Sequence, residues 1–311
     1  MKTVLITGGS GMVGRRLTQM LKDKGYAVIW YSRERYVKAE IPRYKWDYRH
    51  GTLDEEALEK ADYIIHLAGA NLGDEPWTKR RKRTIIDSRV KTTELLIDAL
   101  KVIGHKPKAF VSASAVGYYG VEVTKQVFTE DYILKGSDFL SVTCRLWESA
   151  ADKFESELGV RTVKVRSGFV LSRKSEALRK MKLATNVGLG SRMGSGRQYM
   201  SWIHIDDLCR IYIQAIEDEN MKGVYNAVAP HHTTNTRFMR RLARVMRRPF
   251  FMPFIPSFIL RMVMGEAADM VLGGSRISSE KIRKAGFKLE YENVDKALRA
   301  TIKKTDNKGN K

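Results

Sequence analysis

Near the start of the chain, Thr3 to Gly14 read TVLITGGSGMVG, a spacing suited to holding the phosphates of a dinucleotide. A short apolar run, Val4-Leu5-Ile6, gives way to Gly8, Gly11 and Gly14. Glycine lets a backbone turn tightly and approach a pyrophosphate closely. The helix that should begin at Met12 and Val13 offers free N–H groups and a partial positive charge to the same anion. Sites that take NAD place an Asp or Glu roughly 20 residues further on, to bond the ribose 2′-hydroxyl. This chain has Tyr31-Ser32-Arg33 there. Ser32 can donate a hydrogen bond and Arg33 can grip a 2′-phosphate with two, with Arg35 as a second cation. An acid in that place would repel the phosphate, so the expected cofactor is NADP(H). A second cofactor wall is expected at His66-Leu67-Ala68-Gly69-Ala70-Asn71, where small residues let backbone pass close to the adenosine ribose.

These residues need strands to aim them. Apolar runs at Ala27 to Tyr31, Tyr44 to Trp46, Tyr63 to Leu67, Ala109 to Ala113 and Thr162 to Val165 read as strands. Helical patterns at Asp54 to Lys60, Ile85 to Val102 and Phe139 to Leu158 separate the later ones. Such alternation predicts an α/β fold, a Rossmann-type doubly wound parallel sheet with its ligand crevice at the strands' carboxyl ends. After Arg166 the alternation weakens. Val187 to Gln198 reads as a glycine-rich loop, Asp207 to Ile216 as a helix and Val224 to Val228 as a strand. Phe250 to Pro256 is a proline-broken apolar segment. Further helices are expected at Ser257 to Leu272, Ser278 to Ala285 and Asn293 to Ile302. The division this predicts is a cofactor domain from 1–166 with 207–229, a smaller, mostly helical substrate lobe from 167–206 with 230–303, and a flexible basic tail at 304–311.

The 311 residues are 43% hydrophobic, enough for a real core, and no apolar run reaches membrane-spanning length. No signal peptide is expected, because Thr7-Gly8-Gly9 cuts the first apolar run short. Cys144 and Cys209 are the only cysteines, which is neither a disulfide framework nor a metal pattern, and a cytoplasmic protein is expected. The formal charge of +21 raises nucleic acid or an acidic membrane as partners. However, the basic runs Lys79 to Arg83 and Arg240 to Arg248 come with no nucleic-acid motif, and solvated helix faces explain them. No specific nucleic acid, no membrane and no metal are expected.

TGGSGMVG, HLAGAN, SASAVGYYG and WIHIDD together resemble extended short-chain dehydrogenases/reductases of the epimerase type. The similarity is greater to an atypical NAD(P)-dependent epimerase-family branch, the SulA-like one with a C-terminal domain of unknown function. Matching features run along nearly the whole chain: Trp77, Ser88-Arg89-Val90, Trp147-Glu148, Arg166-Ser167-Gly168, Gly194 to Gln198, Tyr225 to Pro230 and Gly265-Glu266. The resemblance implies that Leu67, Ala68 and Gly69 line the ribose, that Arg89 reaches the cofactor, and that Gly168 and Phe169 face the nicotinamide. It also implies a Ser or Thr at the end of the fifth strand, matched by Ser114, and Tyr-x-x-x-Lys on the next helix. With Trp147-Glu148 setting the register, those two positions hold Leu140 and Cys144, and Phe139 to Leu158 contain no such motif.

Tyr118 is the substitute acid expected here, with Tyr119 beside it. Gln198, Trp202 and His204 are the expected substrate contacts, and Glu148 is a further carboxylate on the helix. Two readings stay open. One is an NADP(H)-dependent oxidoreductase or epimerase-like enzyme acting on a small molecule, as a monomer or homodimer. The other is an NADP-binding sensor or assembly factor, of the kind the resemblance links to cell or organelle division.

Overall fold

The computed structural model describes residues 1–133, 138–251 and 254–302. Its strands are Thr3–Thr7 (β1), Ala27–Ser32 (β2), Arg43–Asp47 (β3), Thr52–Leu53 (β4), Tyr63–His66 (β5), Ala109–Ala115 (β6), Val127–Phe128 (β7), Arg161–Ser167 (β8), Phe169–Leu171 (β9), Trp202–His204 (β10), Gly223–Ala227 (β11) and Arg276–Ile277 (β12). Its helices are Met12–Asp23 (α1), Glu56–Glu59 (α2), Lys79–Ile103 (α3), Phe139–Leu158 (α4), Glu176–Asn186 (α5), Ile205–Glu217 (α6), Asn235–Val245 (α7), Ser257–Met264 (α8), Asp269–Leu272 (α9), Glu280–Lys284 (α10) and Val294–Ile302 (α11). Eight strands form one sheet in the order β11-β8-β6-β5-β1-β2-β3-β4. Its pairs are parallel except for β3 with β4.

The continuous apolar runs of the central strands follow from burial on both faces. Val4 and Ile6 of β1 join one buried cluster with Leu17, Leu21 and Leu208, while Leu5 joins the opposite one with Leu96, Ile97 and Phe154. Side chains along a strand alternate between faces, so β1, β2, β5 and β6 each supply both clusters. The strand order reverses between β1 and β5, which opens a crevice at their carboxyl ends. Outside the sheet, β9 pairs with β10 and β7 with β12. A third buried cluster joins Leu171, Trp202, Phe238, Leu242 and Leu298 under the second half of the chain.

Capping sets the helix bounds. Thr78 accepts a hydrogen bond from the Arg81 amide, so α3 starts at Lys79, six residues before the helical pattern suggests. The Lys79 to Arg83 run is therefore its first turn. Asp138 caps α4 and left-handed Gly159 ends it, at the bounds expected from the sequence. The single helix expected from Ser257 to Leu272 is broken instead. Gly265 has φ of 57°, and a 3₁₀ turn over Gly265–Ala268 separates α8 from α9. The pattern also missed α5 and α7. In α7, Phe238, Met239 and Leu242 are buried among arginines that hide their periodicity in the sequence. Part of the Phe250 to Pro256 segment and the 304–311 tail lie outside the described residues. Among the described residues no helix is long and apolar enough to cross a membrane, and no group of three His, Cys, Asp or Glu could hold a metal.

Candidate active site

The turn after β1 is compact. Gly8 has φ of 72°, and a Cβ there would lie 2.9 Å from the Leu67 carbonyl carbon. A Cβ on Gly14 would lie 2.6 Å from both the Gly8 oxygen and the Gly9 Cα, and one on Gly11 would lie 3.2 Å from the Gly8 oxygen. The turn, the start of α1 and the Leu67–Ala68 backbone thus sit in contact. The caps of α3 to α7 are side-chain acceptors from Thr78, Asp138, Ser175, His204 and Thr234. The cap of α1 is Gly11 with no side-chain acceptor, and no acid stands in the first turn. The amides of Met12 and Val13 belong to that uncapped turn, so an anion fits there.

His66 braces the neighbouring strand end. The Ala68 amide donates to Thr7 Oγ1 at 3.2 Å, and Thr7 Oγ1 lies 2.8 Å from His66 Nδ1. Thr92 and Thr93 donate their hydroxyls to backbone carbonyls and flank Nε2 at 3.2 and 3.3 Å. This pattern fits a ring protonated at Nε2. Burial pushes the His66 pKa down to about 3, so the ring is neutral. Gly69 lies against Arg89: a Cβ there would be 2.9 Å from the guanidinium carbon. Arg89 is itself buried, donates to the carbonyls of Ala70 and Ile85, and stacks 4.9 Å from the Trp147 ring. Burial brings its pKa down to about 10.

At the end of β2 the Ser32 hydroxyl bonds to the Glu34 carbonyl. Arg33 is exposed and makes no ion pair among the described residues. Arg35 is bound to Asp54 at 2.8 Å and Glu56 at 2.7 Å, so it is less available than Arg33.

At the end of β6 the polar groups meet one another. Ser114 donates to Glu148 Oε1 at 2.6 Å. Arg166 holds the same carboxylate with two bonds, of 2.7 and 2.8 Å. It also donates to the Tyr119 hydroxyl at 2.9 Å, which in turn donates to Asn226 Oδ1 at 2.8 Å. All five side chains are buried. Burial opposes the Arg166 charge, but the Glu148 carboxylate outweighs it and holds the pKa above its ordinary range. Burial raises the Tyr119 phenol to about 12. Tyr118 lies half-buried with its ring 3.3 Å from the Arg166 guanidinium carbon.

Between this network and the buried cluster under the second half of the chain lies a cavity of about 300 Å³. Leu140, Cys144 and Trp147 line it from one face of α4, opposite Gly117, Gly168 and Phe169. Burial, reinforced by Glu148, pushes the Cys144 thiol up to about 12, so it is not a thiolate. The wall includes Tyr119 but not Tyr118. Nor does it include Gln198, Trp202 or His204. Gln198 donates to the carbonyls of Met193 and Val271, Trp202 lies in the third buried cluster, and His204 caps α6 and packs on Tyr291. The pattern gave no hint of Met181, Met193, Met200 or Met270, which do line the cavity, nor of Tyr199. The only signal the four methionines share is residue type.

The model of the NAD dependent epimerase/dehydratase family matches residues 4–228, and that of a domain of unknown function (DUF1731) matches residues 255–301. An epimerase family protein of Staphylococcus saprophyticus is 37% identical over 96% of this chain and 98% of its own length. Among solved structures, human epimerase family protein SDR39U1 with NADPH superposes with a TM-score of 0.85 at 32% identity, covering 96% of this chain and 98% of that one. The nucleoside-diphosphate sugar epimerase of Corynebacterium glutamicum gives 0.78 at 29% identity, covering 96% of this chain and 58% of that one.

Proposed function

This chain belongs to the NAD dependent epimerase/dehydratase family, and we propose that it is an NADP(H)-binding oxidoreductase or epimerase-like enzyme that works without a Tyr-x-x-x-Lys relay. The observation that carries this reading is the open, acid-free anion seat at the start of α1 beside unpaired Arg33. In it Gly8, Gly11, Gly14 and the amides of Met12 and Val13 hold the pyrophosphate. Ser32 and Arg33 hold the 2′-phosphate, Leu67, Ala68, Gly69 and Arg89 the ribose side, and Gly168 and Phe169 the nicotinamide. The NADPH of the human relative supports the choice of cofactor. When bound, the nicotinamide supplies or takes up a hydride.

This chain's part is to seat the cofactor, exclude water with the apolar walls from α4 and the second lobe, and provide a proton. Leu140 and Cys144 carry no proton suited to that task. Ser114 has its proton committed to Glu148, whereas the Tyr118 hydroxyl makes no hydrogen bond among the described residues, so Tyr118 is the acid in this reading. That role requires its ring to turn from the Arg166 guanidinium toward the cavity, whose wall it does not now line. Gln198, Trp202 and His204 act as the substrate lobe's supports. The substrate is a small molecule, and the protein works in the cytoplasm as a monomer or homodimer, with neither nucleic acid nor membrane as partner.

Calorimetric titration tests the cofactor. Arg33→Ala should weaken NADPH about tenfold, near 1.4 kcal/mol, and leave NADH unchanged. Tighter binding of NADH than of NADPH to the unaltered protein would overturn the assignment. Full turnover in Tyr118→Phe would remove Tyr118 from the proton step. The closed Ser114–Glu148–Arg166 network favours a second reading, a cofactor-loaded sensor or assembly factor. Tight NADPH binding with no oxidation across a broad panel of carbonyl compounds would select it.

A further inference from the structure

Next to the cavity lies a wider cleft of about 890 Å³, and the two share Tyr199 in their walls. Their chemistry is opposite. The cleft is lined by Lys125, Arg192, Arg197, Arg237 and Arg276, together with His231 and His232, and its described walls contain no carboxylate. None of these five cations makes an ion pair among the described residues, although ion pairs are common elsewhere on the surface. Arg192 and Arg276 each bury a guanidinium Nε that has no hydrogen-bond partner among the described residues. Left-handed Gly196 keeps this wall close: a Cβ there would lie 2.1 Å from Thr236 Oγ1 and 2.9 Å from Arg192 Cδ. Unpaired cations facing one another repel, and a bound polyanion relieves both the repulsion and the unmet donors.

The cavity offers few free groups to a polar guest. Arg89 is bonded to the Ala70 and Ile85 carbonyls, and Asp269 is paired with Arg261. The indole N–H of Trp147 is the one buried side-chain donor of the wall left without a partner among the described residues. The Tyr119, Thr143, Ser167, Ser201 and Ser275 hydroxyls donate to Asn226, Phe139, Ser114, Ser275 and Glu122 respectively. The Asn235 carbonyl oxygen accepts from the Met193 amide. The rest of the wall is largely apolar, with Leu140, Phe169, Met181, Met200, Met270 and Val271 prominent. A sugar ring would bring several hydroxyls into a mostly apolar space whose side-chain hydroxyl protons are already used, and Trp147 Nε1 and the Arg89 edge are too few to meet them all. Each hydroxyl left unpaired weakens binding by about tenfold or more.

We propose that the substrate is an amphiphile, with an apolar reacting group in the cavity and a phosphate-bearing tail in the cationic cleft. This rests on the reading of the site as a cofactor-dependent reaction chamber, and it names the substrate class that chamber admits. Tyr199 marks the junction: its oxygen accepts from Arg276 Nη2 at 2.6 Å, and its ring packs against the same guanidinium.

Octyl phosphate, octanol and glucose 1-phosphate separate the two halves. They are titrated calorimetrically into the full chain, with and without saturating NADPH. Octyl phosphate should bind at least tenfold more tightly than either of the others. Arg276→Gln should weaken octyl phosphate about tenfold and leave octanol unchanged. Arg237→Gln, at an exposed position, should act in the same direction and guards against a folding defect. Equal or tighter binding of glucose 1-phosphate would overturn the proposal, as would octyl phosphate binding that ignores both substitutions. Binding only to vesicles containing phosphatidic acid would also overturn it and assign the cleft to a membrane surface. Failure of NADPH itself to bind would defeat the cofactor reading. NADPH binding without octyl phosphate binding would defeat only the amphiphile.

Discussion

At the carboxyl end of β1 the protein leaves hydrogen-bonding groups open, and at the carboxyl end of β6, two strands away, it closes them. The first turn of α1 has a glycine cap and no side-chain acceptor. Ser114, Glu148, Arg166, Tyr119 and Asn226 satisfy one another instead. Both regions sit where ligands bind in sheets of this kind, so position alone does not separate them. Unmet hydrogen-bonding capacity does. An open amide turn is a receptor, while a buried, mutually bonded set is a scaffold whose members act mainly on each other.

The largest expected effect breaks the closed region. Glu148→Ala leaves the Arg166 guanidinium buried without its carboxylate, and urea unfolding should show a loss of about 3–5 kcal/mol. A loss below about 1 kcal/mol would show that water replaces the carboxylate and that the network is not a scaffold. The open region should respond differently. In Gly14→Val the added Cβ meets the Gly8 oxygen and Gly9 Cα, so the turn must move. NADPH affinity should fall more than about 100-fold, near 2.8 kcal/mol, with helix content by circular dichroism little changed. NADPH binding within a few-fold of the unaltered protein would mean that the turn is not the phosphate seat.

Between the two regions stands His66, whose effect is a slope. Its folded pKa lies near 3, below the ordinary value, so between about pH 6.5 and 3 the unfolded chain binds the extra proton. Stability from the neutral ring is fully present above that window and is lost as pH falls through it. The slope reaches at most about 1.4 kcal/mol per pH unit. Unfolding free energies at pH 5 and 6, compared with those of His66→Asn, isolate this term from the carboxylates. Equal slopes in the two proteins would show that the His66 ring is protonated in the folded state.

Much of this organisation was legible in the chain. The first strands and the bounds of α4 follow from apolar runs, an Asp cap and a Gly stop, all of which act locally. The turn at Gly8 to Gly14 is legible for the same reason, because its requirement is steric and lies within a few residues. The cavity is another matter. Its wall is drawn from Met181 on α5, Met193 and Met200 in the connection that follows, and Met270 on α9, and nothing in their spacing brings them together. The network around Ser114 is equally hidden. Glu148 reads as one more helix carboxylate until β8 places Arg166 beside it, and α7 is masked by its own arginines.

The smallest expected effect is the one that most sharpens the contrast between open and closed groups. Ser114→Ala removes a single donor to Glu148 Oε1, which still accepts from Arg166 Nε. Because the carboxylate keeps its cation, the cost should be near 1 kcal/mol, far below that of Glu148→Ala. NADPH affinity should not change, since Ser114 faces the network. If Ser114 only braces Glu148, turnover should fall by no more than a few-fold. A loss of 100-fold or more at unchanged KM and stability would mean that the Ser114 hydroxyl leaves the carboxylate when substrate binds. The carboxyl end of β6 would then be an open region held shut until it is used.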